Sequence, residues 1–514
     1  MKSSRLFRGA ALALAVGLLT TACASFEGGG EAPSGAGSKL TIALQFAPRA
    51  NFALETDDAF VLTQVGCLET LLRYNAELGE LEPLLATEWK QTEPTAWDFT
   101  LREGVRFQDG TDLTAEAVVA SLNYLLKADA PPRAFTPAVV SGVEAVDAKT
   151  VRVSTETPSA LVPFRLASGN TGILAPKAYT DAGIDPIKTC TGPFAPVSEQ
   201  PKQSISLERN ETYWGTKAAL AQVDARFIVE GATRATQVQT GESQVALAIP
   251  AANAPELEQN SELVVNRAFT PRTTGLYFNT SKAPFDSLQV RKALQSALDL
   301  DAIAASVYDG AAKPAIGPFS PDEPWAPTGM TPVKKDTAAA KQLLTDARIA
   351  EGQLNLTLLA YNERPEFADL AAVIQANLAE IGFTVKIKAS DYAAIEADLL
   401  AGDYDLSLLS RNHLTDIADP IGFLTADYTC EGGFNISQYC DKAVDAELTK
   451  ANGEADASAR HAIYAEVAKK LQEEAITVFI VSEETTAARR TNVQNFVDDP
   501  LARYAVTPEL ALTS

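Results

Sequence analysis

The sequence predicts an α/β protein built from more than one folding unit. Three observations carry this: a length of 514 residues, helical periodicity that repeatedly gives way to strand alternation, and no repeat of solenoid spacing. Leu370, Val373, Ile374, Leu378 and Ile381 mark one face of a helix. Gly382 stands at its C′ stop, and Phe383, Val385 and Ile387 then alternate as a strand. Ile463, Val467 and Leu471 repeat the helical half of this grammar before the strand-like run ITVFIV at 476–481.

The other elements follow in chain order. Lys2, Arg5 and Arg8 flank the apolar run AALALAVGLL at 10–19, which is too short to span a bilayer and fits a secretory signal peptide over 1–22. Cys23 follows Thr-Thr-Ala and resembles the acylated cysteine of a bacterial lipobox, although Thr20 stands where such boxes usually carry Leu. Cleavage after Ala24 is the alternative, and it would release a soluble protein. Residues 25–38 (SFEGGGEAPSGAGS) cannot build a core and read as a tether of on the order of 20 Å, so 23–38 is expected to be a lipidated cysteine and leash. The membrane would be reached through this N-terminal lipid only. A first buried strand is expected at 39–44 (KLTIAL). Helices are expected from Thr114, through Val118, Val119, Leu122, Leu125 and Leu126, and over Val290, Ala293, Leu294, Ala297 and Leu298. Residues 310–332, rich in Pro and Gly, read as a long loop.

Composition narrows the function. With 66 acidic against 43 basic residues, the net charge of −23 argues against a nucleic-acid partner. Setting Cys23 aside leaves Cys67, Cys190, Cys430 and Cys440, an even number for an oxidising compartment. Cys430–Cys440 is favoured by its short, glycine-bearing closure, which leaves Cys67–Cys190; buried free thiols are the alternative. No metal site and no cofactor are expected, since no Cys-x-x-Cys occurs and the only histidines are His413 and His461. No G-x-S-x-G, H-E-x-x-H or Walker-type loop is present, and no catalytic constellation emerges.

Several stretches resemble the peptide/nickel/oligopeptide-binding family of ABC importer receptors, often called family 5. Residues 81–126 carry an "EP-LA-W" opening, then "LR-GV-F-DG", then "TAE-V--S" entering a helix. The order makes physical sense: Trp97, Phe99 and Leu101 alternate, Asp109-Gly110 is a turn dipeptide, and Thr114 stands at an N-cap position. Thr191-Gly192-Pro193-Phe194, LERNETYWG at 207–215 and LYFNTSKAPFDSLQVRKALQSALD at 276–299 continue the likeness. The resemblance implies an α/β, bilobal periplasmic-binding-protein type II-like fold with an extra subdomain in the first lobe. The first lobe would be 39–65, 180–270 and 485–514, the extra subdomain 66–179, and the second lobe 271–484. It also implies an extracytoplasmic receptor, a monomer held at the cell membrane by its lipid. Such a receptor closes two lobes over a solute and delivers it to separate ABC permease and ATPase subunits.

Peptide-binding members carry a loop W-x-A-D-Y-x-D-P-x-x-F-L whose aspartate meets the ligand's α-amino group. This chain reads His413-Leu414-Thr415-Asp416-Ile417-Ala418-Asp419-Pro420-Ile421-Gly422-Phe423-Leu424, so the resemblance assigns Asp416 to the amine. His413 replaces the aromatic Trp and Ile417 the Tyr. His413 faces either the ligand or a loop carbonyl. Arg411 is a candidate for an anionic group, and Phe46 and Asn51, just after the first strand, for further ligand contact. Asp419-Pro420 and Arg291 read as structural. Short peptide is the leading ligand class, with an oligosaccharide, an opine or a metal–chelator complex as alternatives; free nickel would want more imidazoles than two. A surface sensor or chaperone without transport is the other functional class, and an enzyme would be told apart by turnover.

Overall fold

Lys39–Leu44 is buried at every position after Lys39, as a strand covered on both faces must be. It lies parallel between Gln222–Phe227 and Val245–Ile249, and the antiparallel strands Ser204–Arg209 and Phe194–Gln200 continue beyond Gln222–Phe227. A second parallel group sets Asn355–Tyr361 between Thr384–Ser390 and Leu406–Asn412. Two long antiparallel strands, Leu263–Tyr277 and Val478–Arg490, join both groups into one 11-stranded sheet. This computed structural model describes residues 38–76, 78–180, 183–320, 323–349 and 354–513. The expected signal segment, Cys23 and most of the tether lie outside the described residues.

The long strands pass from one hydrophobic core to another. One core gathers Leu40, Ile42, Phe99, Phe107, Leu122, Phe194 and Val223; the other gathers Leu276, Phe278, Leu294, Leu358, Ile374, Leu408 and Ile480. Their pairing breaks register between Phe269 and Thr273. Pro271 lies in the break, where its missing N–H costs no ladder bond. A third cluster, with Phe319, Trp325, Ile421, Tyr428 and Tyr464, also takes in Ala134 and Leu161, so apolar contact crosses between the two halves. Asn452 strengthens that crossing: its carbonyl accepts Ala160 N–H at 2.8 Å and its side-chain amide donates to Pro158 O at 3.1 Å.

The local readings hold in detail. Ala115–Leu126 starts at Thr114, whose hydroxyl accepts Ala117 N–H at 3.2 Å. Glu366–Glu380 ends before Gly382, which takes φ 102° and turns the chain into Thr384–Ser390. The four-stranded sheet Ala86–Glu93, Ala96–Leu101, Thr150–Ser154, Gly142–Ala145 carries the family-like segment, with Phe99 and Leu101 buried and Trp97 donating Nε1–H to Ser159 O at 2.8 Å. Cys67 is bonded to Cys190 and Cys430 to Cys440, with Cα separations of 5.5 and 4.3 Å. One expectation falls short. The strand read at 476–481 starts at Val478 and runs on to Arg490, past the point where burial becomes partial beyond Glu483 and the apolar signal fades. Among the described residues of 310–332 only Ala312–Pro314 is a strand, paired with Val478–Arg490. Among the described residues no helix is long and apolar enough to cross a membrane.

Candidate functional site at the facing strand ends

Val245–Ile249 runs antiparallel to Val478–Arg490 with Ile249 opposite Thr486, so its C-terminal end reaches the register break. Leu406–Asn412 runs antiparallel to Leu263–Tyr277 with Asn412 opposite Arg272, so its C-terminal end reaches the same place from the other side. Two sets of C-terminal strand ends therefore meet where the long strands cross between cores. Ligands of open α/β sheets bind outside such ends.

From the first side, the chain leaves Leu44 and exposes Phe46, at 57% accessibility. Val229, just past Gln222–Phe227, is exposed as well. Asp58 fixes the following loop by accepting the N–H groups of Arg49, Ala50 and Phe52 at 2.8, 2.7 and 3.0 Å. Asn51 has φ 50° and lines a depression of about 690 Å³ with Arg49, Thr180, Glu199 and Lys202, all on the first side. A second concavity, of about 350 Å³, is lined by Lys292, Met330, Leu343 and Gln472 and by none of the candidate residues.

From the second side comes the loop 413–420. His413 N–H donates to Pro271 O at 2.9 Å, tying the loop to the register break. Asp419 pins its other end: the carboxylate accepts Arg460 Nε–H at 3.0 Å, Tyr464 O–H at 2.7 Å and Ile421 N–H at 3.0 Å. Between these anchors Asp416 reaches across to Arg133, whose Nε lies 3.1 Å from one carboxylate oxygen and 3.3 Å from the other. Arg133 is half exposed and Asp416 about one-fifth exposed, so solvent reaches the pair. Asp57 stands nearby. Its carboxyl is held above the ordinary range by desolvation, with Asp416 and Asp58 pushing the same way and Arg133 and Arg49 opposing.

The remaining candidates are committed elsewhere. His413 is 2% exposed, walled by Phe319, Trp325 and Phe423, and its Nε2 is 2.8 Å from both oxygens of Glu323. It meets a carboxylate rather than a loop carbonyl. Arg411 makes two 2.7 Å bonds to buried Asp427 and packs over Phe434, 3.9 Å from the ring centre. Arg291 is structural: its guanidinium donates to Glu474 O, Phe285 O and Asp286 O. Thus Asp416 pairs with Arg133 from the other side, Phe46 is exposed after the first strand, Asn51 lines a separate groove, and His413 and Arg411 are occupied by acids.

Sequence reasoning missed a cluster on the second side. Asn355–Tyr361 pairs with Leu406–Asn412 only at Leu358–Leu406 and Leu359–Ser407, so the strands diverge beyond Ser407. Glu483 is buried at this divergence, accepting Ser410 O–H at 2.9 Å and the Thr274 hydroxyl, and paired with Arg364. Burial pushes its carboxyl up, but Arg364, Arg272 and the two hydroxyls bring it below the ordinary range. A depressed folded value means that the stabilisation is full above the unfolded value and is lost as pH falls through the folded one. Glu483→Gln is therefore expected to flatten the fall in melting temperature on acidification below about pH 4.5 relative to the parent chain, as followed by calorimetry. An unchanged slope would remove Glu483 from the acid response. The one sequence signal for this cluster was Pro271, which marks the end of uninterrupted strand.

The comparisons with known proteins agree with this geometry. The family model described as bacterial extracellular solute-binding proteins, family 5 Middle, matches residues 80–435. A probable D,D-dipeptide-binding periplasmic protein of Escherichia coli (strain K12) is 28% identical over 435 residues, 82% of this chain and 83% of the relative. The nickel-binding protein of Staphylococcus aureus (strain NCTC 8325 / PS 47) is 27% identical over 481 residues, 92% of each chain. Among solved structures, the Brucella suis NikA in complex with Fe(III)-EDTA superposes with a TM-score of 0.82 at 23% identity, covering 93% of this chain and all of that one. The chain belongs to family 5 of the bacterial extracellular solute-binding proteins, and it is an extracytoplasmic receptor that captures a solute for an ABC importer.

Proposed function

We propose that the solute is a small molecule bearing a protonated amine, with a short peptide the leading class, and that Asp416 receives the amine. The observation that supports this is the Arg133–Asp416 contact across the crevice. It presents the carboxylate to the opposite half, accessible to solvent and already facing a cation. A ligand ammonium would take the place of Arg133 or share the carboxylate with it, in a charge-assisted bond stronger than a neutral one. The D,D-dipeptide-binding relative is consistent with a peptide. The lobes would be 39–65, 180–270 and 485–514 against 271–484, with 66–179 inserted in the first; the register break between Phe269 and Thr273 supports that division. The chain would act as a monomer tethered through acylated Cys23, and it would return its ligand chemically unaltered.

Titration calorimetry with dialanine tests this reading. Asp416→Ala is expected to weaken binding at least about tenfold, the loss that accompanies unpairing one charged hydrogen bond. Equal affinities would take Asp416 out of the site. A second reading draws on the nickel-binding relative. Among the described residues no three His, Cys, Asp or Glu side chains gather to hold a metal ion. A metal would therefore arrive inside a chelator, which the same crevice would contact.

A further inference from the structure

The concavity of about 350 Å³ lies where the helix Leu288–Ala297 meets the C-terminal end of Ala457–Glu473. Met330, Val333 and Leu343 give it an apolar wall, and Lys292, Gln472 and Glu473 give it polar groups. Gln472 is 6% exposed, yet its Oε1 meets no hydrogen-bond donor among the described residues. Gln295, which also lines the space, commits its own amide to Gln472 O at 3.1 Å and so leaves that oxygen unmet. A buried acceptor in this state is costly until a donor arrives. Two opposite charges share the space without pairing. Half-buried Lys292 and exposed Glu473 each have no opposite charge within ion-pair distance among the described residues.

We infer that this concavity binds a free α-amino acid with an apolar side chain. Lys292 receives its carboxylate, Glu473 and Gln472 Oε1 receive its ammonium, and the side chain packs on Met330, Val333 and Leu343. Glu473 is the last residue of its helix, where the backbone carbonyls add to the negative potential and favour a cation. A zwitterion answers both charges at once. A plain anion would be opposed by Glu473, and a plain amine by Lys292; a nucleotide, with several phosphates, would be opposed more strongly still. The volume stands at the small end of the about 300–1,000 Å³ typical of ligand sites, which suits a single amino acid. Neither Asp416 nor Arg133 lines this space, so the site is independent of the crevice.

Met330 makes the test direct, because the chain has one other methionine, Met1. The full chain labelled with methyl-13C methionine is titrated with L-leucine, and the Met330 methyl resonance is followed. That resonance is expected to shift and saturate. It should respond to 4-methylpentanoate, which lacks the amine, and to 3-methylbutylamine, which lacks the carboxylate, only at concentrations at least about tenfold higher. Lys292→Gln and Glu473→Gln, both at positions open to solvent, should each weaken the L-leucine response by about tenfold or more while binding dialanine as the parent does. Asp416→Ala should leave the L-leucine response in place, which separates this site from the crevice. An immobile Met330 methyl, equal responses to the two half-molecules and to L-leucine, parent-like titrations in both variants, or a response lost with Asp416 would each overturn the inference.

Discussion

Asp419→Ala is expected to lower the free energy of unfolding by about 3–5 kcal/mol, the range for breaking a buried ion pair by removing one partner. The carboxylate is 1% exposed and Arg460 3%, so neither has water to fall back on. Among the described residues Arg460 has no other acid within ion-pair distance; its other hydrogen bond goes to Glu454 O at 3.0 Å. Removing Asp419 would strand that guanidinium, leave Tyr464 O–H without an acceptor and uncap Ile421 N–H, the first amide of the helix Ile421–Tyr428. The loop carrying Asp416 would lose its C-terminal anchor as well, so affinity should fall together with stability. Asp419→Asn, which still accepts hydrogen bonds but carries no charge, should recover part of both. Denaturant titration decides the matter: a loss below about 1 kcal/mol would place this pair with exposed salt bridges, against its burial.

The same loop shows what the sequence could and could not reveal. Motif order identified the segment 413–424, and Asp419-Pro420 read correctly as structural, because an acid before a helix start has a local mechanism. Asp416 was reachable only through the resemblance, since one acid among 66 carries no signal of its own. Arg411 and His413 suit a ligand by residue type, yet their partners Asp427 and Glu323 lie 16 and 90 residues away. Pairing at that separation is a property of the fold and leaves no periodic trace. Arg272 was invisible for the converse reason. What distinguishes it is that, among the described residues, it has no acid within ion-pair distance although Glu483 is near, and its placement follows from the register of Leu263–Tyr277 against Leu406–Asn412. Helices and buried strands were legible because 3.6- and 2-residue periods are written locally. The extension of Val478–Arg490 past Val481 was not, because its outer half packs on one face only.

Replacing both Cys67 and Cys190 by Ala is expected to cost about 4–5 kcal/mol of unfolding free energy, more than replacing Cys430 and Cys440, for which about 2.5–3 kcal/mol is expected. In the chain-entropy account the loss grows with the loop closed, and the separations are 123 and 10 residues. The longer closure also joins the two ends of the segment that carries the four-stranded sheet and Arg133. Around it Gly192 N–H donates to Cys67 O at 2.9 Å, Phe194 N–H to Gly66 O at 3.1 Å and Gln108 N–H to Cys190 O at 2.8 Å. Gly192 is required there, since a Cβ would lie 2.4 Å from the carbonyl oxygens of both Gly66 and Cys67. Freeing the cysteines should therefore loosen the base from which Arg133 reaches Asp416, and hydrogen exchange should rise over 68–179 before it rises in the core around Leu294 and Leu358. If the Cys430 and Cys440 variant loses more stability than the Cys67 and Cys190 variant, loop entropy is not what holds this segment. The bonds around Gly192 would then carry that role alone.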